Sequence, residues 1–275
     1  MATLRHGDVT LAYEERGDGT PVLLLHGFTQ RGGAWRPVLE QCNSTHRWIT
    51  PDLRGHGATS VREGAPFSME ACSEDLVALL EELDVPAVHL AGYSMGGRLA
   101  LTLAGTRPEL LRSLIVISAH AGIEDDAARA ARRERDEVLA RDIDERGIEW
   151  FARHWSGLPM FASLRLRNPH VAGQLHATRL EASPLGLAAA LRGMGAGAMR
   201  PVWHELAQIR CPALVLAGAE DAVYVAHARR LQAQLGNAEL HMVPASGHAL
   251  HLERPDVAAA IIDEFLDGVD GERGS

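Results

Sequence analysis

A pentapeptide, Gly92-Tyr93-Ser94-Met95-Gly96, stands where the apolar run Ala87-Val88-His89-Leu90-Ala91 gives way to a helical pattern. A strand that turns this abruptly into a helix forces the central residue into a strained conformation. The two arms can then approach only if the residues two positions either side lack a side chain. The spacing therefore predicts an exposed serine hydroxyl at the head of a helix. Taken alone, the pattern also describes a glycine-rich connection with an inert serine, so the residues that would activate it decide the matter.

Two such residues lie downstream in order. Asp221 follows the apolar strand Ala213 to Ala217, and His248 follows the strand Glu239 to Val243 within Ser246-Gly247-His248. A reactive serine needs a histidine to take its proton and a carboxylate to orient that histidine. Ser94, Asp221 and His248 supply these in the chain order of an α/β-hydrolase. Glu220 competes for the acid position. His251 is expected to pack rather than bind metal, because no third ligand has the right spacing. After the strand Pro21 to Leu25 comes His26-Gly27-Phe28, a loop that can aim the Phe28 N–H at the serine. With the Met95 N–H it makes the expected oxyanion hole. His26 and the turn Asp52-Leu53-Arg54-Gly55-His56-Gly57 are expected to shape that loop.

Short apolar strands recur at Pro21–Leu25, Trp48–Thr50, Ala87–Ala91, Ser113–Ser118 and Ala213–Ala217. Between them lie helical stretches such as Met69–Leu83 and Met95–Thr106. This alternation predicts an α/β fold with a mostly parallel, eight-stranded sheet covered by helices on both faces. Val9–Glu15 alternates like an edge strand, in a hairpin with Thr3–Arg5. From about residue 120 to 201 no strand pattern appears, which predicts a helical cap inserted between core segments 1–119 and 202–270. Its first helix is expected over Glu124–Arg146. At about 100° per residue, Ala127, Ala131, Val138, Leu139 and Ile143 would share its inward face with Arg132 and Arg135. Inward arginines need anions: a ligand, or neighbouring acids such as Glu134 and Asp136.

The 46% apolar and 23% charged residues are those of an ordinary globular protein. A net charge of −9 argues against nucleic acid as a partner. Three scattered cysteines support neither disulfides nor a zinc knuckle. No signal-like N-terminus or apolar run of about 20 residues appears, so a cytoplasmic protein that neither is exported nor spans a membrane is expected. The segment 268–275 is expected to fray.

With these residues in place the chain resembles the α/β-hydrolase superfamily. More narrowly it resembles the MenH-type enzymes, 2-succinyl-6-hydroxy-2,4-cyclohexadiene-1-carboxylate synthases of menaquinone biosynthesis. The likeness rests on Gly92 to Arg98, on the cap segments Ala130-Ala131-Arg132, His154-Trp155, Leu158 to Phe161 and Thr178-Arg179-Leu180, and on Gly247 to Glu253. It implies a cofactor-free lyase that removes a proton from carbon and eliminates pyruvate from a tricarboxylate. It also implies Arg98, Arg132 and Arg179 as anion-binding residues, with Tyr93 and Trp155 lining the pocket. Two departures stand out: Val223-Tyr224 where the family often has Lys-Phe, and Ala119-His120-Ala121-Gly122 where a proline-containing form is commoner. A serine hydrolase of a small ester, lactone or thioester, and a binding protein on a hydrolase scaffold, are the competing expectations.

Overall fold

The computed structural model describes residues 1–274, with side chains through residue 271. Nine strands form one sheet: β1 Ala2–His6, β2 Val9–Arg16, β3 Pro21–Leu25, β4 Arg47–Pro51, β5 Ser60–Val61, β6 Val88–Tyr93, β7 Leu111–Ile117, β8 Ala213–Gly218 and β9 Ala238–Val243. Eight of them run in the order β1-β2-β4-β3-β6-β7-β8-β9, and the two-residue β5 hangs off β2. Every pairing from β4 to β9 along this path is parallel, while β2 is antiparallel to β1, β4 and β5. The expected eight-stranded, mostly parallel sheet is therefore present, with β5 as an addition. β2 is not the edge strand that its alternation suggested. β1 pairs along one side of it, as the expected hairpin, and β5 and β4 pair along the other, and Val9, Leu11, Ala12 and Tyr13 are buried.

The continuous apolar runs follow from burial on both faces. Along β3, Leu23 and Leu25 point into the core packed by α2 (Met69–Glu82) and α3 (Met95–Thr106). Val22 and Leu24 point the other way, into a core closed by α10 (Pro255–Gly274). Short helices α1 (Arg36–Leu39) and α9 (Leu250–Glu253) lie on this second side, and α8 (Ala222–Gln234) connects β8 to β9. Helix α10 runs through the segment expected to fray, apart from Ser275, which lies outside the described residues. Ala258, Ala259, Ile262, Phe265, Leu266 and Val269 bury one stripe of it, and that stripe carries the helix past Gly268. Asp270 adds an anchor at the edge of the sheet remote from Ser94. It meets His89 Nε2 at 3.1 Å, His46 Nε2 at 3.3 Å and Arg112 at 3.8 Å. His46, His89 and Asp270 could offer ligand atoms to an ion. Here they are paired with one another.

Between β7 and β8 lie α4 (Asp126–Gly157), α5 (Ala162–Arg167), α6 (Pro169–Leu180) and α7 (Pro184–Met194), with no strand among the described residues. Asp125 caps α4 by accepting the Ala128 N–H at 2.7 Å. The helix then outruns its expected end at Arg146. It breaks at Gly147, whose φ of 77° is open to glycine, and continues to Gly157. Its inward face also differs from expectation. Ala127, Ala131, Val138 and Arg135 are exposed, whereas Ile143 is buried and Leu139 half-buried as expected, and Asp136 and Ala140 are buried with them. Alanine methyls bury too little surface to orient a helix that is polar on every side. The packing of Ala140, Ile143 and Phe151 against Leu187, Ala188 and Leu191 of α7 sets the angle instead.

The turn that begins at Asp52 is locked by buried ions. Arg54 forms a forked pair with the fully buried Asp75 of α2, with one arm at 2.9 Å, and donates to the Pro66 carbonyl at 2.7 Å. Removing one partner of such a pair strands the other charge, at a cost of about 3–5 kcal/mol. Asp75→Asn is therefore expected to lower the urea unfolding free energy by about that amount. A change below 1 kcal/mol would show that the pair does not anchor the turn.

Candidate active site

β6 ends at Tyr93 and α3 begins at Met95, which leaves Ser94 alone to make the turn, with φ 51° and ψ −106°. The flanking glycines permit it. A Cβ on Gly92 would lie 2.3 Å from the Gly96 carbonyl oxygen, and one on Gly96 would lie 2.2 Å from that of Leu25. Gly96 therefore brings the first turn of α3 against the end of β3 and the His26 carbonyl. The Met95 N–H, among the first of its helix, has no carbonyl within the helix to bond. This packing draws Met95 and the His26-Gly27-Phe28 loop together. His26 holds that loop as expected: its Nδ1–H donates to the Gly27 carbonyl at 2.8 Å and its Nε2 accepts the Leu53 N–H at 2.9 Å. Burial pushes its pKa down to about 4, so the ring is neutral.

Ser94, His248 and Asp221 meet at the carboxyl end of the parallel strands. His248 Nε2 is 3.1 Å from Ser94 Oγ, and His248 Nδ1 is 2.9 Å from Asp221 Oδ2. The second oxygen of Asp221 accepts the Tyr224 N–H at 3.3 Å and so caps α8. One carboxylate thus fixes both a helix and an imidazole. Glu220 points away, forked with Arg167 at the surface. Glu253 accepts the Gly247 N–H at 3.1 Å, which steadies the loop that carries His248. His251 is buried against Tyr93, ring centroids 4.1 Å apart, and burial with the nearby His248 lowers its pKa to about 3. It packs, as expected.

Arg98 lies one turn past Ser94 and is 8% exposed; Arg179 of α6 is 3% exposed. Arg98 donates to the Met194 carbonyl at 2.8 Å. Arg179 donates to the hydroxyls of Thr29 at 3.1 Å and Ser156 at 2.8 Å, and sits 5.0 Å over the Phe161 ring. Among the described residues neither has a carboxylate within 4.0 Å. Burial lowers each pKa to about 10, which leaves both protonated at neutral pH. Arg132 differs. It pairs with Asp136 at 2.8 Å, and its side chain is 36% exposed, so a neighbouring acid meets its charge. Trp155 belongs to an aromatic wall with Phe28, Phe151 and Phe161, and its buried Nε1–H has no hydrogen-bond partner. Phe161 faces the His248 ring at 6.3 Å, Tyr93 at 5.3 Å and Tyr224 at 4.4 Å.

The chain matches the alpha/beta hydrolase fold family over residues 20–255. It belongs to that family. Within it, the chain resembles the MenH-type enzymes. A Bacillus subtilis protein provisionally named a 2-succinyl-6-hydroxy-2,4-cyclohexadiene-1-carboxylate synthase is 32% identical over 249 residues, 90% of each chain. The structure of MenH from S. aureus superposes with a TM-score of 0.90 at 31% identity, covering 94% of this chain and 98% of that one. An esterase from Thermogutta terrifontis with malate bound has a TM-score of 0.83 at 30% identity, over 95% and 94% of the two chains. No helix among the described residues of this α/β-hydrolase is long and apolar enough to cross a membrane.

Phe151, Thr29 and Ser156 escaped the sequence reading, because Phe151 and Ser156 of α4 and Thr29 of the loop after β3 meet Phe161 and Arg179 only through tertiary packing. Only the choice between Asp221 and Glu220 can be tested without a substrate. Labelling of Ser94 by an organophosphate is expected to slow by about 10³–10⁴ in Asp221→Asn, where the imidazole tautomer is lost. Glu220→Gln should label at the wild-type rate. The reverse ranking would move the acid to Glu220.

Proposed function

We propose that this α/β-hydrolase is a MenH-type carbon-oxygen lyase that eliminates pyruvate from a tricarboxylate substrate to give 2-succinyl-6-hydroxy-2,4-cyclohexadiene-1-carboxylate, with no cofactor. The observation that carries the reading is the pair Arg98 and Arg179, the first one turn past Ser94 and the second over the Phe161 ring that faces His248, two buried guanidiniums with no carboxylate within 4.0 Å among the described residues. A buried cation without a counter-ion is costly to keep, and a hydrogen bond to a charged group returns about 1.5–3 kcal/mol. A ligand carrying carboxylates meets both conditions. An uncharged ester would leave both cations stranded.

In this reading Asp221 holds His248 with Nε2 as its acceptor, and Nε2 takes the Ser94 hydroxyl proton. Ser94 Oγ removes a proton from a substrate carbon. The electron pair of that C–H bond starts the new double-bond system as the distant C–O bond breaks. The proton that reached His248 returns to the departing enolpyruvate, which leaves as pyruvate. Phe28 N–H and Met95 N–H face the charge that develops on the carbonyl beside the deprotonated carbon. Tyr93 and Trp155 line the pocket, and the unpartnered Trp155 Nε1–H is a further donor for the ligand. Arg132 takes a secondary part, since Asp136 already shares its charge. The segment 120–201 acts as one cap between core segments 1–119 and 202–270, and the protein works in the cytoplasm on a small molecule.

A second reading, an esterase for substrates with a carboxylate tail, draws on the malate-bound esterase neighbour. The same triad and arginines would serve it, with Ser94 forming an acyl bond. Appearance of the product diene's absorbance with release of pyruvate, assayed beside a panel of p-nitrophenyl esters, separates the two. Pyruvate release is expected, and Arg179→Ala should cut kcat/KM for that substrate by about 10- to 100-fold while barely changing ester cleavage. Rapid ester turnover with no pyruvate would sink the lyase reading.

A further inference from the structure

The two departures from the family pattern, His120 and Tyr224, lie 104 positions apart in sequence and meet in the fold. Their rings are 6.3 Å apart, with His227 beside both at 5.1 and 5.7 Å. Tyr224 also meets the His248 ring at 4.4 Å, tilted by 51°, so a row of rings leads from the Ser94 partner to His120. His120 follows β7 at the carboxyl edge of the sheet and is buried. The Gly122 N–H donates to its Nδ1 at 3.0 Å. An N–H donor aimed at Nδ1 requires a lone pair there, which fixes the ring as the Nε2–H tautomer.

The segment that makes this bond is itself held. Gly122 has φ 101°, its carbonyl accepts Trp203 Nε1–H at 2.9 Å, and the Ala121 carbonyl accepts the Val202 N–H at 2.8 Å. A Cβ on Gly122 would lie 2.6 Å from Pro201 Cα, so the loop cannot shift towards it. A second proton on His120 would set two N–H groups against each other. Arg98, Arg132 and His227 oppose that proton as well, and burial opposes it most. His120 is thus a neutral imidazole with one fixed donor, set among cations. Around it stand Arg98, Arg132, His227 and Tyr224, and Asp136 is engaged with Arg132.

We propose that His120 is a specificity-determining residue whose Nε2–H donates to a substrate carboxylate oxygen at the Arg98 end of the pocket. The proposal rests on a carboxylate-bearing substrate, the basis of the lyase reading, and adds a neutral donor. A third arginine or a lysine there would repel Arg98 and Arg132. A neutral N–H completes the set of donors without that repulsion.

His120→Asn and His120→Gln test it. Asparagine keeps an oxygen for the Gly122 N–H and loses the donor at the Nε2 position, whereas glutamine carries an amide N–H out to it. His120→Asn is expected to raise KM for the diene precursor and weaken tricarballylate binding, measured by calorimetry, each by about tenfold. Its kcat should stay within about twofold and its Tm close to wild type. His120→Gln should recover most of the lost affinity. If His120→Asn does not fold, His120→Ser, small enough to admit a water to Gly122, carries the same expectation. Wild-type affinity in His120→Asn, or an equal loss in the glutamine variant, overturns the proposal. If the wild type releases no pyruvate while His120→Asn binds tricarballylate tenfold more weakly, the lyase reading falls and the subsite stands. If pyruvate is released equally by wild type and His120→Asn at every substrate level, the subsite falls and the lyase stands.

Discussion

Gly92 and Gly96 touch backbone to backbone, and the geometry around the serine depends on that contact. It lets β6 hand over to α3 through one residue, and it seats α3 against the end of β3. Three things follow from this single packing event. Ser94 takes a conformation that L-residues seldom adopt, the head of α3 seats against the Leu25 and His26 carbonyls, and Arg98 is delivered one turn along on the buried side. The strain at Ser94 costs on the order of 1–3 kcal/mol, and the buried strands on either side over-determine it.

Around that fixed point the site is built from cations whose counter-ions are missing. Arg54 shows how this fold treats a buried guanidinium when the purpose is structural: a forked carboxylate and a carbonyl. Arg98 and Arg179 receive only a carbonyl and two hydroxyls. These partners orient the guanidiniums without neutralising them. The contrast within one molecule separates arginines that hold the protein together from those held ready for something else.

Much of this was legible in the sequence, for identifiable reasons. A strand buried on both faces must read as an unbroken apolar run, so β3, β6, β7 and β8 declared themselves. The elbow and the order Ser94, Asp221, His248 depend on local turns, which a sequence records directly. What failed was decided by tertiary packing. The hairpin of β2 with β1 was legible, but β2 reads as an edge strand until β4 and β5 are seen on its other side. The face of α4 could not be read from alanines, and the partner of Arg132 proved to be Asp136, an acid one turn along that periodicity alone could not choose over a ligand. The aromatic wall joins Phe28, Phe151, Trp155 and Phe161 across more than one element, so no local pattern announces it.

Arg98 belongs to α3, bolted to the sheet, whereas Arg179 belongs to α6 of the helical insertion. Any molecule that satisfies both therefore bridges two layers that already meet through the hydrogen bonds of Arg98 to Met194 and of Arg179 to Thr29. Ligand charge then sets reach as well as affinity. A polyanion long enough to touch both arginines would bridge α3 and α6, while a shorter anion would be held at one of them alone.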